Sequence, residues 1–136
     1  MSVNDSKEVR LLSAQLGYPF SLDQIEKNIH AVLINNDHNA FVAMINNQVV
    51  GWIGVSHSLQ IEVEAYTEIH GLVIDENFRN AGIGKKLIER AKEWAREKGN
   101  TKLQLHCNVI RTETHKFYEY LGFKEIKQQK VYSIDI

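Results

Sequence analysis

Glu68 and His70 stand two positions apart in a short apolar stretch, and Arg79-Asn80-Ala81-Gly82-Ile83-Gly84 follows soon after. A carboxylate and an imidazole are side chains that readily take a proton from a substrate. Small residues behind an arginine suit a different task, the holding of an anion. Glycine lets the backbone approach a ligand closely, and the first turn of a helix has N–H groups without intrahelical partners. The helix dipole adds about half a positive charge at that end. The segment from Glu68 to Gly84 thus joins proton-accepting groups to a seat for a phosphate or diphosphate.

Particular elements must position these residues. Ile69, Leu72, Val73 and Ile74 lie in a run, Tyr66 to Ile74, that reads as a buried strand. Strand alternation puts His70 on the face of Glu68 unless a bulge intervenes. After Gly82, a long helix carries Ile83, Leu87, Ile88, Ala91, Trp94 and Ala95 on one face and ends at Gly99-Asn100. Upstream, Asp5 with Glu8 suits one helix start, and Ser21 with Gln24 forms a capping-box pattern for a second. Tyr18-Pro19-Phe20 turns the chain between them. Ala40 to Ile45 and Val49 to Val55 read as strands joined by the Asn46-Asn47-Gln48 turn. Downstream come a strand (Lys102 to Cys107), a loop, a short helix (Thr112 to Leu121) and a terminal hairpin (Phe123 to Lys127 with Lys130 to Ile136). This order predicts a mixed α/β sheet with helices on its faces.

Two common phosphate loops do not fit. A Walker loop needs a glycine where Arg79 stands and a hydroxyl where Lys86 stands, and a dinucleotide fingerprint needs glycine at Leu87. What remains, Arg-x-x-Gly-x-Gly at a strand-to-helix junction, resembles the pyrophosphate loop of the GNAT acyltransferase superfamily. A second segment, Thr114 to Phe123 with Tyr118 and Gly122-Phe123, is similar to that superfamily's other recurring motif, in the same order along the chain. On these two motifs the chain is identified as a member of the GNAT N-acetyltransferases, the resemblance running from about Ala40 to the C-terminus.

The resemblance implies one domain over residues 1–136. It also implies a mostly antiparallel central sheet of about six strands, helices on both faces, and a splay between the fourth and fifth family strands. Those are Tyr66 to Ile74 and Lys102 to Cys107 here. It implies acetyl-CoA as cofactor, its pantetheine arm bonded by the main chain at Leu72, Val73 and Ile74. Its diphosphate would be held by Arg79, Asn80, Ala81, Gly82, Ile83, Gly84 and Lys85. Many members place an asparagine where this chain has Arg111, so the contact there is expected from Asn108 or Arg111. Tyr118 matches the tyrosine that faces the thioester sulfur, and Glu68 stands at the spacing of a catalytic glutamate, with His70 the rival base. The expected reaction is direct acetyl transfer to a primary amine of a small molecule or peptide. The alternative is a non-catalytic acyl-CoA-binding module that needs neither Tyr118 nor Glu68.

Composition narrows the partners. The 136 residues are 43% hydrophobic and 24% charged, and the net charge of -1 gives no pull toward nucleic acid or membrane. Cys107 is the one cysteine, so a reducing, cytoplasmic setting is expected, and no secretory leader is legible at the start. A lone cysteine without a triad argues against a covalent acyl-enzyme. None of the six histidines has H-E-x-x-H spacing, so no metal is expected. Glu62, Glu64 and Glu68 make the acceptor side mildly acidic, which suits a cationic amine. Little chain precedes Asp5 to form a first family strand, leaving a sheet edge open or filled by a second copy in a homodimer.

Overall fold

A computed structural model describes every residue except Tyr18. The expected Tyr18-Pro19-Phe20 turn therefore falls partly outside the described residues. Contacts divide the chain into two compact units, Met1–His106 and Cys107–Ile136.

The first unit opens with α1 (Ser6–Ala14) and α2 (Leu22–Ile34). The Asp5 carboxylate accepts from the Ser2 N–H at 2.7 Å instead of capping α1, while Glu8 reaches across to the Val49 N–H. Ser21 caps α2, its hydroxyl accepting from the Gln24 N–H at 3.1 Å, but the Gln24 side chain donates to Asn28 instead of closing the expected capping box. Strands β1 (His38–Ile45), β2 (Gln48–Ser58) and β3 (Tyr66–Ile74) form an antiparallel meander. Asn46 and Asn47 both take positive φ, 50° and 63°, which matches a two-residue turn to the twist of its strands. Helix α3 (Ile83–Glu97) then crosses to β4 (Leu103–Leu105), parallel to β3, giving the order β1-β2-β3-β4.

Neighbouring residues on β2 show which helices cover which face. Trp52 packs with Val9, Ile25 and Ile29 on one side, while a Cβ at Gly51 would lie 3.3 Å from Ile83 and Leu87 on the other. Thus α1 and α2 cover one face of this sheet and α3 the other. All six apolar residues of the α3 stripe are buried, as their spacing predicts.

Two features set up the site. The β2–β3 register passes from Gly54↔Gly71 to Val55↔Ile69, so His70 is an extra residue, a β-bulge. The β3–β4 ladder covers only Thr67↔Leu103, Glu68↔Gln104 and Ile69↔Leu105, and β3 runs on to Ile74 with that edge unpaired.

Among the described residues the sheet has four strands, not about six. Val3–Asp5 is a 3-10 turn, and among the described residues no strand stands before α1. In the second unit, α4 (Thr112–Tyr120) ends near Gly122, but the expected terminal hairpin does not form. Among the described residues no backbone hydrogen bond reaches positions 124–136, and Val131, Tyr132, Ile134 and Ile136 are exposed. Alternating apolar residues give a segment the capacity to be a strand, and a ladder partner is a separate requirement. β4 is also shorter than the expected Lys102 to Cys107, and β2 is longer than Val49 to Val55.

Candidate active site

Glu68 anchors a polar row across the sheet. The register sets His38, Ser56, Glu68 and Gln104 side by side on four strands. His106, two residues past Gln104, falls on the same face. Its Nδ1 lies 2.7 Å from Glu68 Oε1, and His70 Nε2 lies 3.9 Å from Glu68 Oε2. A hydrogen on His106 Nδ1 is the arrangement in which this ring nitrogen faces a carboxylate favourably, and that tautomer keeps the lone pair on Nε2. Ser56 Oγ is hydrogen-bonded to His70 Nε2, and the His38 ring stacks on His70 at 6.0 Å. The bulge therefore leaves His70 on Glu68's side but pinned among β1, β2 and β3. The Glu68 side chain is 18% exposed and that of His106 is 65% exposed.

The phosphate-seat residues follow in the same unit. The Asp75 N–H donates to the Val50 carbonyl at 2.8 Å, toward β2. Main-chain direction alternates along a strand, so Val73 also faces β2 while Leu72 and Ile74 face the unpaired edge. At the other end of β3, the Thr67 N–H donates to the Lys102 carbonyl, on the β4 side. From odd-numbered Thr67, plain alternation would send Val73 outward; the extra residue at His70 shifts the phase and presents Leu72 and Ile74 instead.

Beyond β3, Asp75 Oδ1 accepts from the Asn77 N–H at 3.0 Å and starts a single 3-10 turn, Glu76–Phe78. Arg79 is extended, Asn80 has φ 67°, and Gly82, the N-cap of α3, has φ 77°. Glycine takes that left-handed conformation without strain, and it has no side chain to fill the cap. The helix ladder begins with the Lys86 N–H to the Gly82 carbonyl at 3.1 Å. Among the described residues no protein group accepts from the N–H of Ile83, Gly84 or Lys85. Arg79, Asn80, Ala81 and Lys85 are exposed around them. Unpartnered N–H groups at a helix start, ringed by exposed cations, suit an anion such as phosphate.

The second unit holds the remaining predicted residues. Asn108 Oδ1 accepts from the Ile110 N–H, and the Asn108 carbonyl accepts from the Arg111 N–H at 3.0 Å. Arg111 is exposed and precedes α4. Tyr118 packs edge-on to Phe123 at 5.7 Å and tilted to Phe117 at 5.4 Å. Burial, aided by nearby Cys107 and opposed by Arg111, pushes the Tyr118 phenol up to about 12, so it stays protonated. Burial also raises the Cys107 thiol, against the pull of Arg111, which disfavours a thiolate nucleophile there.

The first unit thus joins Glu68 to His70 and holds the Arg79–Lys85 loop beyond β3. His106 reads from sequence as a lesser base candidate at the end of its strand, but that it and Ser56 gather around Glu68 and His70 is not legible there. Their alignment with Glu68 depends on strand register, which is fixed only when the sheet forms.

Comparison with known proteins gives the family. The acetyltransferase (GNAT) family model matches residues 8–123. An uncharacterised N-acetyltransferase of Methanocaldococcus jannaschii is 33% identical over 96 residues, 68% of this chain and 42% of the relative. The aminoalkylphosphonate N-acetyltransferase of Salmonella typhimurium is 29% identical over 121 residues, 85% of this chain and 73% of the relative. The chain spans well under half the length of the archaeal relative and 32% of a Danio rerio N-acetylaspartate synthetase. Among solved structures, aminoglycoside N-acetyltransferase AAC(6')-Iy in complex with CoA is similar at a TM-score of 0.89 and 21% identity. That match covers 100% of this chain and 92% of the other. The motif at Arg79–Gly84, the segment around Tyr118 and these matches agree: the chain belongs to the GNAT acetyltransferase family.

Proposed function

We propose that this protein moves the acetyl group of acetyl-CoA to a primary amine of a small molecule or peptide, by direct attack with both substrates bound. The observation that carries this reading is the continuous unit from Glu68 to Lys85. A carboxylate–imidazole cluster stands where β3 loses its partner, and free N–H groups stand at the start of α3. The family and its CoA-bound structural neighbours support the same reading.

When bound, acetyl-CoA supplies a thioester whose carbonyl carbon the amine attacks and whose sulfur departs. The chain's own residues fit it in two places. The N–H groups of Ile83, Gly84 and Lys85, with the Arg79 side chain, hold the diphosphate. The outward main chain of Leu72 and Ile74 bonds the amides of the pantetheine arm. Asn108 spends its carboxamide oxygen on its own turn, so the exposed Arg111 guanidinium is the better fit for a further phosphate contact.

A primary ammonium has a pKa of about 10 and must lose a proton before it can attack. The Glu68 cluster, with His70 beside it, receives that proton. Tyr118, kept protonated by burial, is the donor for the departing sulfur. Exposed Glu62 and Glu64 favour a cationic acceptor, and aminoglycosides, acceptors named for several solved neighbours, are of that type. Thiol release from acetyl-CoA over a panel of aminoglycosides, polyamines, aminoalkylphosphonates and peptide N-termini tests the proposal. Amine-dependent release supports it; CoA binding without release from any amine refutes it in favour of a binding module.

A further inference from the structure

We infer that His106 is a further catalytic residue of this reaction, its Nε2 taking the proton from the incoming ammonium while Glu68 acts behind it as a positioning residue. The inference rests on the acetyl-transfer reading above. Four observations point to it.

The first is the 2.7 Å contact from His106 Nδ1 to Glu68 Oε1, which favours the tautomer with hydrogen on Nδ1 and an accepting Nε2. The second is access: the His106 side chain is 65% exposed and that of Glu68 only 18%. Both Glu68 oxygens already face imidazoles, His106 at 2.7 Å and His70 at 3.9 Å, so the carboxylate has little open surface for an incoming ammonium. The third is that His70 is held back, its Nε2 bonded to the Ser56 hydroxyl and its ring stacked on His38. The fourth is place. Leu105 is the last residue of β4 paired to β3, so His106 stands at the mouth of the gap along which Leu72 and Ile74 present their main chain.

The proton balance is simple. The ammonium gives up two protons as it becomes an amide. One passes to His106 Nε2 and on to solvent, forming an imidazolium that faces the Glu68 carboxylate. The nitrogen lone pair forms the bond to the acetyl carbon, the C–S pair leaves on sulfur, and the second proton ends on that sulfur. The titratable groups facing His106 are Glu68 directly and His70 beside it on β3, with Ser56 of β2 and His38 of β1 behind His70.

The test compares wild type, His106→Gln, His106→Gly and Glu68→Gln, using the acceptor amine that gives the fastest thiol release. His106→Gln is expected to lower kcat/KM for the amine by about 10²-fold or more, with KM for acetyl-CoA unchanged. The rising limb of its pH profile should be lost. His106→Gly should regain turnover when imidazole is added, since the side chain it replaces is open to solvent. In wild type, nitrogen NMR should find the Nδ1–H tautomer at His106, and Glu68→Gln should disturb it. Turnover and pH profile unchanged in His106→Gln, or an Nε2–H tautomer in wild type, overturns the inference and leaves acetyl transfer standing. No thiol release by wild type with any amine overturns both.

Discussion

Replacing Tyr118 with phenylalanine removes one hydroxyl and keeps the ring that packs against Phe117 and Phe123. Among the described residues no protein group is hydrogen-bonded to that hydroxyl, so the substitution should leave folding stability nearly unchanged. Its effect on rate depends on what the phenol does. Burial puts the phenol at about 12, whereas an ordinary thiol ionises near 8.5. Complete transfer from this phenol to a thiolate would therefore be uphill by roughly 4–5 kcal/mol, at about 1.4 kcal/mol per pKa unit. Tyr118 is thus better suited to hydrogen-bond the sulfur as charge develops than to surrender its proton outright. A hydrogen bond to a charged group is worth about 1.5–3 kcal/mol, or roughly 10- to 150-fold in rate. Tyr118→Phe should lower the single-turnover rate by that factor while CoA affinity, read by calorimetry, stays within about twofold. The pH dependence has a definite sign. A raised phenol pKa keeps the donor form present as pH rises through 10, and the form is lost only on approach to about 12. A Tyr118→Phe rate within threefold of wild type, or a loss much beyond 10³-fold, would refute the hydrogen-bond role at one end or the other.

Other predictions concern the scaffold and the cysteine. A Cβ at Gly71 would lie 2.5 Å from Trp52 Cη2, so Gly71→Ala should cost about 1–3 kcal/mol in urea unfolding; an unchanged midpoint would show that Trp52 is free to move. Asn100 is buried, and its Nδ2 donates to Thr67 Oγ1 at 2.8 Å and meets His57 Nδ1 at 3.0 Å. Asn100→Ala should therefore destabilise by about 1–3 kcal/mol, and a neutral result would mean that water replaces the amide. With its thiol raised by burial, Cys107 should alkylate more slowly than a free thiol at pH 8, and Cys107→Ser should retain acetyl transfer. Abolished transfer in that variant would favour an acyl-enzyme.

Much of this was legible in the residues, and the illegible parts share a cause. Ser21 and Gln24, the two turn asparagines and the α3 stripe each report local physics, and each element formed where its residues place it. The glycine cap of α3 was readable for the same reason, since Gly82 acts through its own backbone. Register is not local. The bulge at His70, which turns Leu72 and Ile74 outward, and the contact of His106 with Glu68 arise only when β2, β3 and β4 align. The C-terminal segment shows the converse. Its alternating residues predict a hairpin, yet Val131 and Ile134 remain exposed, because alternation specifies a face and not a partner.

The measurement closest to the centre of the account is amide chemical-shift mapping of the labelled protein titrated with CoA. Saturable shifts should be largest at Ile83, Gly84 and Lys85, with a second group at Leu72 and Ile74 and little change at Val73. Shifts confined to other parts of the chain, or none at saturating CoA, would contradict the assignment of this loop and open strand edge as the cofactor's seat.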